Sequence, residues 1–119
     1  CLTVFPPMIR TMKALPENML RAAQKGFINA TDLADYMVKK GMPFRTAYKI
    51  VGNIVAYCIE NNITLEEMEL SDYKKFDEIF DEGLYNEINL KTCVEKRISQ
   101  GGTGIASVEK QIEFVKKNI

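Results

Sequence analysis

Histidine is absent from all 119 residues. That removes every catalytic arrangement built on imidazole, Ser-His-Asp and Cys-His alike. It also leaves zinc without a ligand set, because Cys1, Cys58 and Cys93 are scattered and no Cys-x-x-Cys occurs. Three separate thiols make a poor disulfide framework, which points to a reducing compartment, the cytoplasm. Neither charge is in excess: 16 Lys+Arg against 16 Asp+Glu give a formal net charge of zero. A nucleic-acid partner is therefore not expected, and there is no acidic or basic tail. No apolar run approaches the roughly 20 residues of a membrane span, so no membrane partner is expected either. The opening CLTVFPPMIR lacks the charged lead and cleavage site of a signal peptide. Strand alternation, internal repeats and low-complexity tracts are missing too. What remains is one domain, all-α, long enough to bury a core without metals or disulfides.

The helix signals can be followed along the chain. Pro6 and Pro7 suggest an extended lead-in over residues 1–7. Met8, Met12 and Leu15 then predict a short helix ending before Pro16. Pro16 suits the first turn of a second helix that stops at Gly26. The next is the best signalled: Asn29 as N-cap, Asp32 as its acidic partner three residues on, Ile28 and Leu33 as a hydrophobic staple. Ala30, Leu33, Ala34, Met37 and Val38 make its buried face, Asp35 and Lys39 can pair outside it, and Gly41 ends it. Pro43 restarts the chain as a helix apolar over most of its circumference, with Arg45, Lys49 and Asn53 as its polar edge. Such a helix is expected to be central, and Gly52 to permit a close helix crossing. Beyond Asn61 and Asn62, short helices are expected, with Ser71 as an N-cap and Gly83 as a break. Thr92 and Glu95 have capping-box spacing for a helix through Gln100, and GGTG, residues 101–104, is a turn. Ile105, Val108, Ile112 and Val115 give the last helix a narrow seam against one partner helix.

Few constellations suggest chemistry. Asp32 and Asp35 share a helix flank, but a capping acid plus a surface acid explains them better than a catalytic pair. The acids Glu66, Glu67, Glu69, Asp77, Glu78, Asp81 and Glu82 lack the order and central glycine of a calcium loop, and read as solvated helix faces. GGTGIA places glycines before a helix, yet has no P-loop Lys-Ser/Thr and no strand ahead of it, so a tight turn is preferred to an anion site. Arg45 and Arg97 could hold a carboxylate or phosphate, though each reads better as an ion-pair or surface residue. Tyr48 and Tyr57 fit core positions with hydrogen-bonded tips better than ligand-stacking ones. Ser99 and Ser107 have no evident base. No catalytic, cofactor-binding or metal-ligating residue is assigned.

Two of these stretches carry a resemblance. ATDLADYMVKKGMPFRTAYKIVGNIV closely resembles the C-terminal region of argininosuccinate lyase. The matching positions are Ala30 to Ala34, Met37 and Val38, Lys39 and Lys40, Gly41, Pro43, Phe44 and Arg45, then Ala47 and Tyr48, with Gly52 beyond. CVEKRISQGGTGIASVEKQI is similar to the family's closing elements through Val94, Glu95 and Arg97, Gly101 to Thr103, Val108, Gln111 and Ile112. The intervening segment agrees in length and leucine texture, so the resemblance covers roughly residues 15 to 117. Three positions depart: Tyr48 stands where the family usually has histidine, Cys93 where it has serine, and Gly104 where alanine is common.

The resemblance implies a small helical bundle of short and medium helices around a central helix, occupying residues 16–119. Residues 1–15 are then a lead-in, the cut end of a preceding helical domain, which accounts for the absent initial methionine. Enzymes of this kind, in the fumarase/aspartase superfamily, are several times longer and form homotetramers. Their substrate is argininosuccinate, which they split by β-elimination to arginine and fumarate, without cofactor or metal, in arginine biosynthesis. Their serine-bearing Gly-Ser-Ser-x-Met-Pro-x-Lys-x-Asn loop has no counterpart here, so no catalytic residue carries over and this chain alone is expected to be inactive. Two alternatives stand beside that reading: a freestanding helical interaction module derived from a lyase, and a domain of a paralogous lyase acting on another fumaryl adduct, for which Tyr48 is the support.

Overall fold

The computed structural model describes residues 2–119. Among the described residues eight helices follow in order: α1 (Phe5–Thr11), α2 (Pro16–Lys25), α3 (Ala30–Lys39), α4 (Phe44–Asn61), α5 (Leu70–Phe76), α6 (Gly83–Ile88), α7 (Leu90–Glu95) and α8 (Ile105–Asn118). No strand occurs among the described residues. α3 packs along α4 and, on another side, against α6; α7 follows α6, and α5 leans on α4.

The core forms where the periodic apolar faces meet. Leu33 and Met37 of α3 lie against Ala47, Val51, Ile54 and Cys58 of α4, all closed to solvent or nearly so. Leu65, Met68 and Phe80 come from the loops, and Tyr73, Leu84 and Ile88 from α5 and α6. A chain of rings runs through the middle: Tyr36 stacks on Phe80 at 6.2 Å, and Phe80 meets Tyr73 at 5.2 Å. Tyr36, Tyr73 and Tyr85 each have an acceptor for the hydroxyl, as burial of a phenol requires. Tyr73 Oη donates to the Leu65 carbonyl (2.6 Å), Tyr85 Oη to that of Met68 (2.8 Å), and Tyr36 Oη to Asp81 Oδ1 (2.9 Å). Burial pushes the Tyr73 hydroxyl well above its ordinary pKa.

The local stops between α3 and α4 follow the sequence closely. Gly41 has φ +99°, its N–H bonds the Val38 carbonyl, and Met42 N–H reaches back to Met37, closing α3 with a left-handed glycine. Pro43 is extended and caps the start of α4.

Elsewhere the structure corrects the reading. Residues 5–7 are helical: Pro6 and Pro7 occupy the first turn of α1, where a missing N–H costs nothing. α1 ends at Thr11, and Met12 is extended. Gly26 follows α2 in a right-handed conformation; the positive φ falls on Phe27, at +48°. Ser71 lies within α5, whose N-cap is Glu69. Gly83 opens α6 instead of breaking a helix. α7 is capped by Asn89, whose Oδ1 accepts from Lys91 N (3.0 Å) and Thr92 N (3.4 Å), and it ends at Glu95, five residues short of Gln100.

Three helices stand clear of the core. α1 and α2 bury no residue, and α8 buries only Ser107. The seam of Ile105, Val108, Ile112 and Val115 is largely open to solvent. The Cα radius of gyration is 18.1 Å, where a compact chain of this length would have about 13.5 Å. No helix among the described residues is long and apolar enough to cross a membrane.

Candidate functional site

The two family-like stretches meet in space. Arg97, from the second, forks onto Asp32, from the first: Nη2 lies 3.1 Å from Oδ2 and Nη1 3.4 Å from Oδ1. Nη1 also donates to the Cys93 carbonyl at the end of α7. The planar guanidinium thus ties the first turn of α3 to the last turn of α7. Hydrogen bonding to Asp32 holds Arg97 even further toward its charged form. Asp32 is therefore an ion-pair residue, and the capping role expected for it is not observed.

The turn after Arg97 is built on that residue's own carbonyl. Gly104 N–H donates to Arg97 O at 2.9 Å, and Gly102 N–H to Ser99 O at 2.8 Å. A Cβ placed on Gly102 would sit 2.2 Å from Arg97 O, so only glycine fits this approach. Ser107 Oγ donates to Ser99 O (2.7 Å) and Gln111 Nε2 to Gly102 O (3.0 Å), which clamps the start of α8 to the turn. The N–H groups of Gly102 and Gly104 are engaged inside the loop, which favours the turn over an anion cradle. Ser107, buried, acts as a clamp with no base beside it.

Asn29 sits at the start of α3, but its side chain makes no cap bond. It is buried, and its Nδ2 donates to the Ile88 carbonyl at 2.8 Å. Ile88 ends α6, so the amide satisfies one of the carbonyls a helix C-terminus leaves unpaired. The staple is not closed either: Leu33 is fully buried while Ile28 is 55% exposed. Lys39 turns from Asp35 to Glu87 (3.0 Å), which Lys96 also reaches (2.6 Å). Hydrogen bonds from Lys96 and then Lys39 hold the Glu87 carboxyl below its usual range, and the bond to Glu87 raises Lys39. Nearby, Lys40 pairs with Asp81, whose Oδ1 also accepts from Tyr36 Oη and Gly83 N (2.9 Å). The Lys40 bond is the main reason that the Asp81 carboxyl is lowered.

The acids from 66 to 82 serve as loop fasteners more than as solvated faces. Glu67 accepts from the N–H and hydroxyl of Thr64, which lowers its pKa. Glu66 accepts from Leu90 N and Gln24 Nε2, linking α7 to α2. Among the described residues no three acidic or thiol side chains converge. Burial raises the Cys58 and Cys93 thiols to about 11, so both are protonated at neutral pH and poor nucleophiles. Arg45 is exposed and makes no ion pair among the described residues. Tyr48, expected in the core, is 68% exposed, with Phe44 6.0 Å away; Tyr57 is half-buried against Phe76. The arrangement is a set of fasteners around α3.

What these fasteners belong to is decided by comparison. The family described as argininosuccinate lyase C-terminal matches residues 27–95, which run from the turn before α3 to the end of α7. The chain belongs to this family. An argininosuccinate lyase of Acetivibrio thermocellus is 56% identical over 119 residues, spanning 97% of this chain and 26% of that protein. Those of Caldicellulosiruptor bescii and Clostridium beijerinckii are 52% and 50% identical, spanning 98% and 99% of the chain and 25% and 26% of those proteins. The chain thus spans about a quarter of the length of the lyases it matches. Asp32 of the fork lies within the matched residues, and Arg97 and the Gly102 turn follow just beyond them.

Sequence reasoning missed Tyr36, Asp81, Glu87 and the amide role of Asn29. Tyr36 had a usable signal, since it lies three residues beyond Leu33 on the same face. Lys40 for Asp81, Lys39 for Glu87 and the Ile88 carbonyl for Asn29 lie 41 to 59 residues away, beyond the reach of any local pattern.

Proposed function

We propose that this chain is the C-terminal domain of an enzyme that cleaves argininosuccinate to arginine and fumarate by β-elimination, in arginine biosynthesis in the cytoplasm. In this reading residues 16–119 form the domain, and residues 1–15 belong to the end of a preceding helical domain. The observation that carries it is identity of 50% or more to named argininosuccinate lyases over nearly the whole chain, combined with coverage of only a quarter of each. The enzyme works as a homotetramer, without cofactor or metal. This domain contributes packing and no reacting group: Asp32, Asp81 and Glu87 are held in ion pairs, and its two described thiols are buried and protonated. The 119-residue chain alone is inactive.

The test is fumarate release from argininosuccinate by the complete polypeptide and by this chain, each purified. Turnover by the first and none by the second is expected. Protein-dependent turnover by the chain alone would refute the division of labour, and an inactive complete polypeptide would refute the lyase assignment. One observation favours a second reading, a paralogue that acts on another fumaryl adduct: tyrosine, not the usual histidine, stands at position 48, on an open face. Turnover of a different fumaryl compound in preference to argininosuccinate would select it.

A further inference from the structure

α4 is the longest helix and is apolar over most of its surface, yet the chain covers only one stripe of it. Flanking that stripe, Phe44 and Tyr48 lie open, more than half exposed, and their rings sit side by side at 6.0 Å. Next along the same side comes Gly52. A Cβ built there meets nothing within 4 Å, so no close crossing inside the chain accounts for a glycine in the middle of an 18-residue helix. A groove of about 320 Å³ lies between this side of α4 and α3. Its floor is made by Ala30 and Ala34 of α3 with Val51 and Gly52 of α4, and Phe44 and Tyr48 form one wall.

The α4 edge beside the groove is basic. Arg45 and Lys49 stand one turn apart along its α4 edge, exposed and without an ion pair among the described residues. α4 carries no acid in its first turn, where Arg45 sits against the positive end of the helix dipole. A cation in that position has no counter-charge among the described residues.

From these features we infer that the α3–α4 groove docks a helix from the remaining part of the lyase polypeptide, apolar along the contact and acidic on the flank facing Arg45 and Lys49. The inference rests on the lyase reading above. Three quarters of the relatives' length lies outside this chain, which supplies ample polypeptide for the purpose. Small residues on the floor allow close backbone approach, and Gly52 receives a side chain from the incoming helix. Phe44 and Tyr48 are the aromatic anchors of the contact.

Hydroxyl-radical labelling read by mass spectrometry tests this directly. Tyr48 in the 119-residue chain should label as an open tyrosine; in the complete polypeptide its rate should fall by about tenfold, the change from open surface to core. Gly52→Leu in the complete polypeptide should restore most of the labelling. In the isolated chain Gly52→Ala should raise Tm by about 4 °C, because a better helix former is placed in empty space. Equal labelling of Tyr48 in both proteins overturns the proposal. So does protection that grows with concentration in the isolated chain, which assigns the groove to a second copy. Fumarate release is measured on the same preparation: an active but unprotected polypeptide refutes the docking face alone, and a protected but inactive one refutes only the lyase reading.

Discussion

Replacing Asn29 by aspartate separates two roles that the residue could play. As an N-cap, aspartate is as good as asparagine, and its charge suits the first turn of a helix, so a capping role predicts no loss or a small gain. The structure gives the opposite expectation. Nδ2 is a donor to the buried Ile88 carbonyl at 2.8 Å. Asn29→Asp removes the donor and sets a carboxylate oxygen against a carbonyl oxygen. Leaving a buried acceptor unpaired costs about 1–3 kcal/mol, and burying the new charge adds to that. A total of about 3 kcal/mol is expected at neutral pH. With an unfolding entropy of about 2.1 cal/mol/K per residue, that lowers Tm by about 12 °C. Thermal and urea melts followed by circular dichroism measure it. The introduced carboxyl should have a raised folded-state pKa, since its protonated form can donate to Ile88 as the amide does. Its stabilising form is then complete below the unfolded value, about 4, and is lost as pH rises through the folded one. The deficit relative to the parent chain should therefore shrink on acidification. A variant as stable as the parent at pH 7, with no pH-dependent difference, would refute the cross-link and restore the cap.

Gly102→Ala forces a Cβ against the Arg97 carbonyl and should cost about 1–3 kcal/mol, with faster hydrogen exchange over 105–118 as the mark that α8 has loosened. Cys58 and Cys93 should resist alkylation at pH 8 and react fully in urea, because folding both buries them and keeps them protonated; rapid native labelling of either would contradict the packing. Glu87 and Asp81 have lowered pKa values, so their contribution is present above the unfolded carboxylate range and is lost as pH falls through the folded values. Tm should drop on going from pH 5 to pH 3, and less so for Glu87→Gln, which has no proton to gain.

Signals that act within a few residues were legible in the sequence. The Gly41 stop, the Pro43 restart and the buried stripe from Leu33 to Met37 all depend on local geometry, and all appear in the structure. Caps were harder to place. Asn29, Ser71 and Thr92 all have cap-forming side chains, yet one amide binds a distant carbonyl and the two hydroxyl residues lie inside their helices. Several candidate donors compete for each helix end, and tertiary contacts choose among them. The exposed face of α4 was read as buried for another reason: periodicity reports what a helix can bury, and says nothing of which chain segment covers it. At the site, the family-like stretches were visible as patterns, but the fork between Asp32 and Arg97 spans 65 residues and needed coordinates.

The turn from residue 97 to 104 has a mechanical consequence. α8 has 14 residues, so it is about 21 Å long, and about 10 Å of it extends past the clamp at Ser107 and Gln111. Its direction is set by the turn beneath it, where Gly101 has φ +79° and Gly102 is wedged on Arg97 O. A tilt of 10° at the turn moves the far end by about 4 Å, close to the rise of two or three helical residues. The aim of Phe114 and Ile119 is thus set by backbone geometry a helix-length away, and a single methyl group at the turn would redirect them.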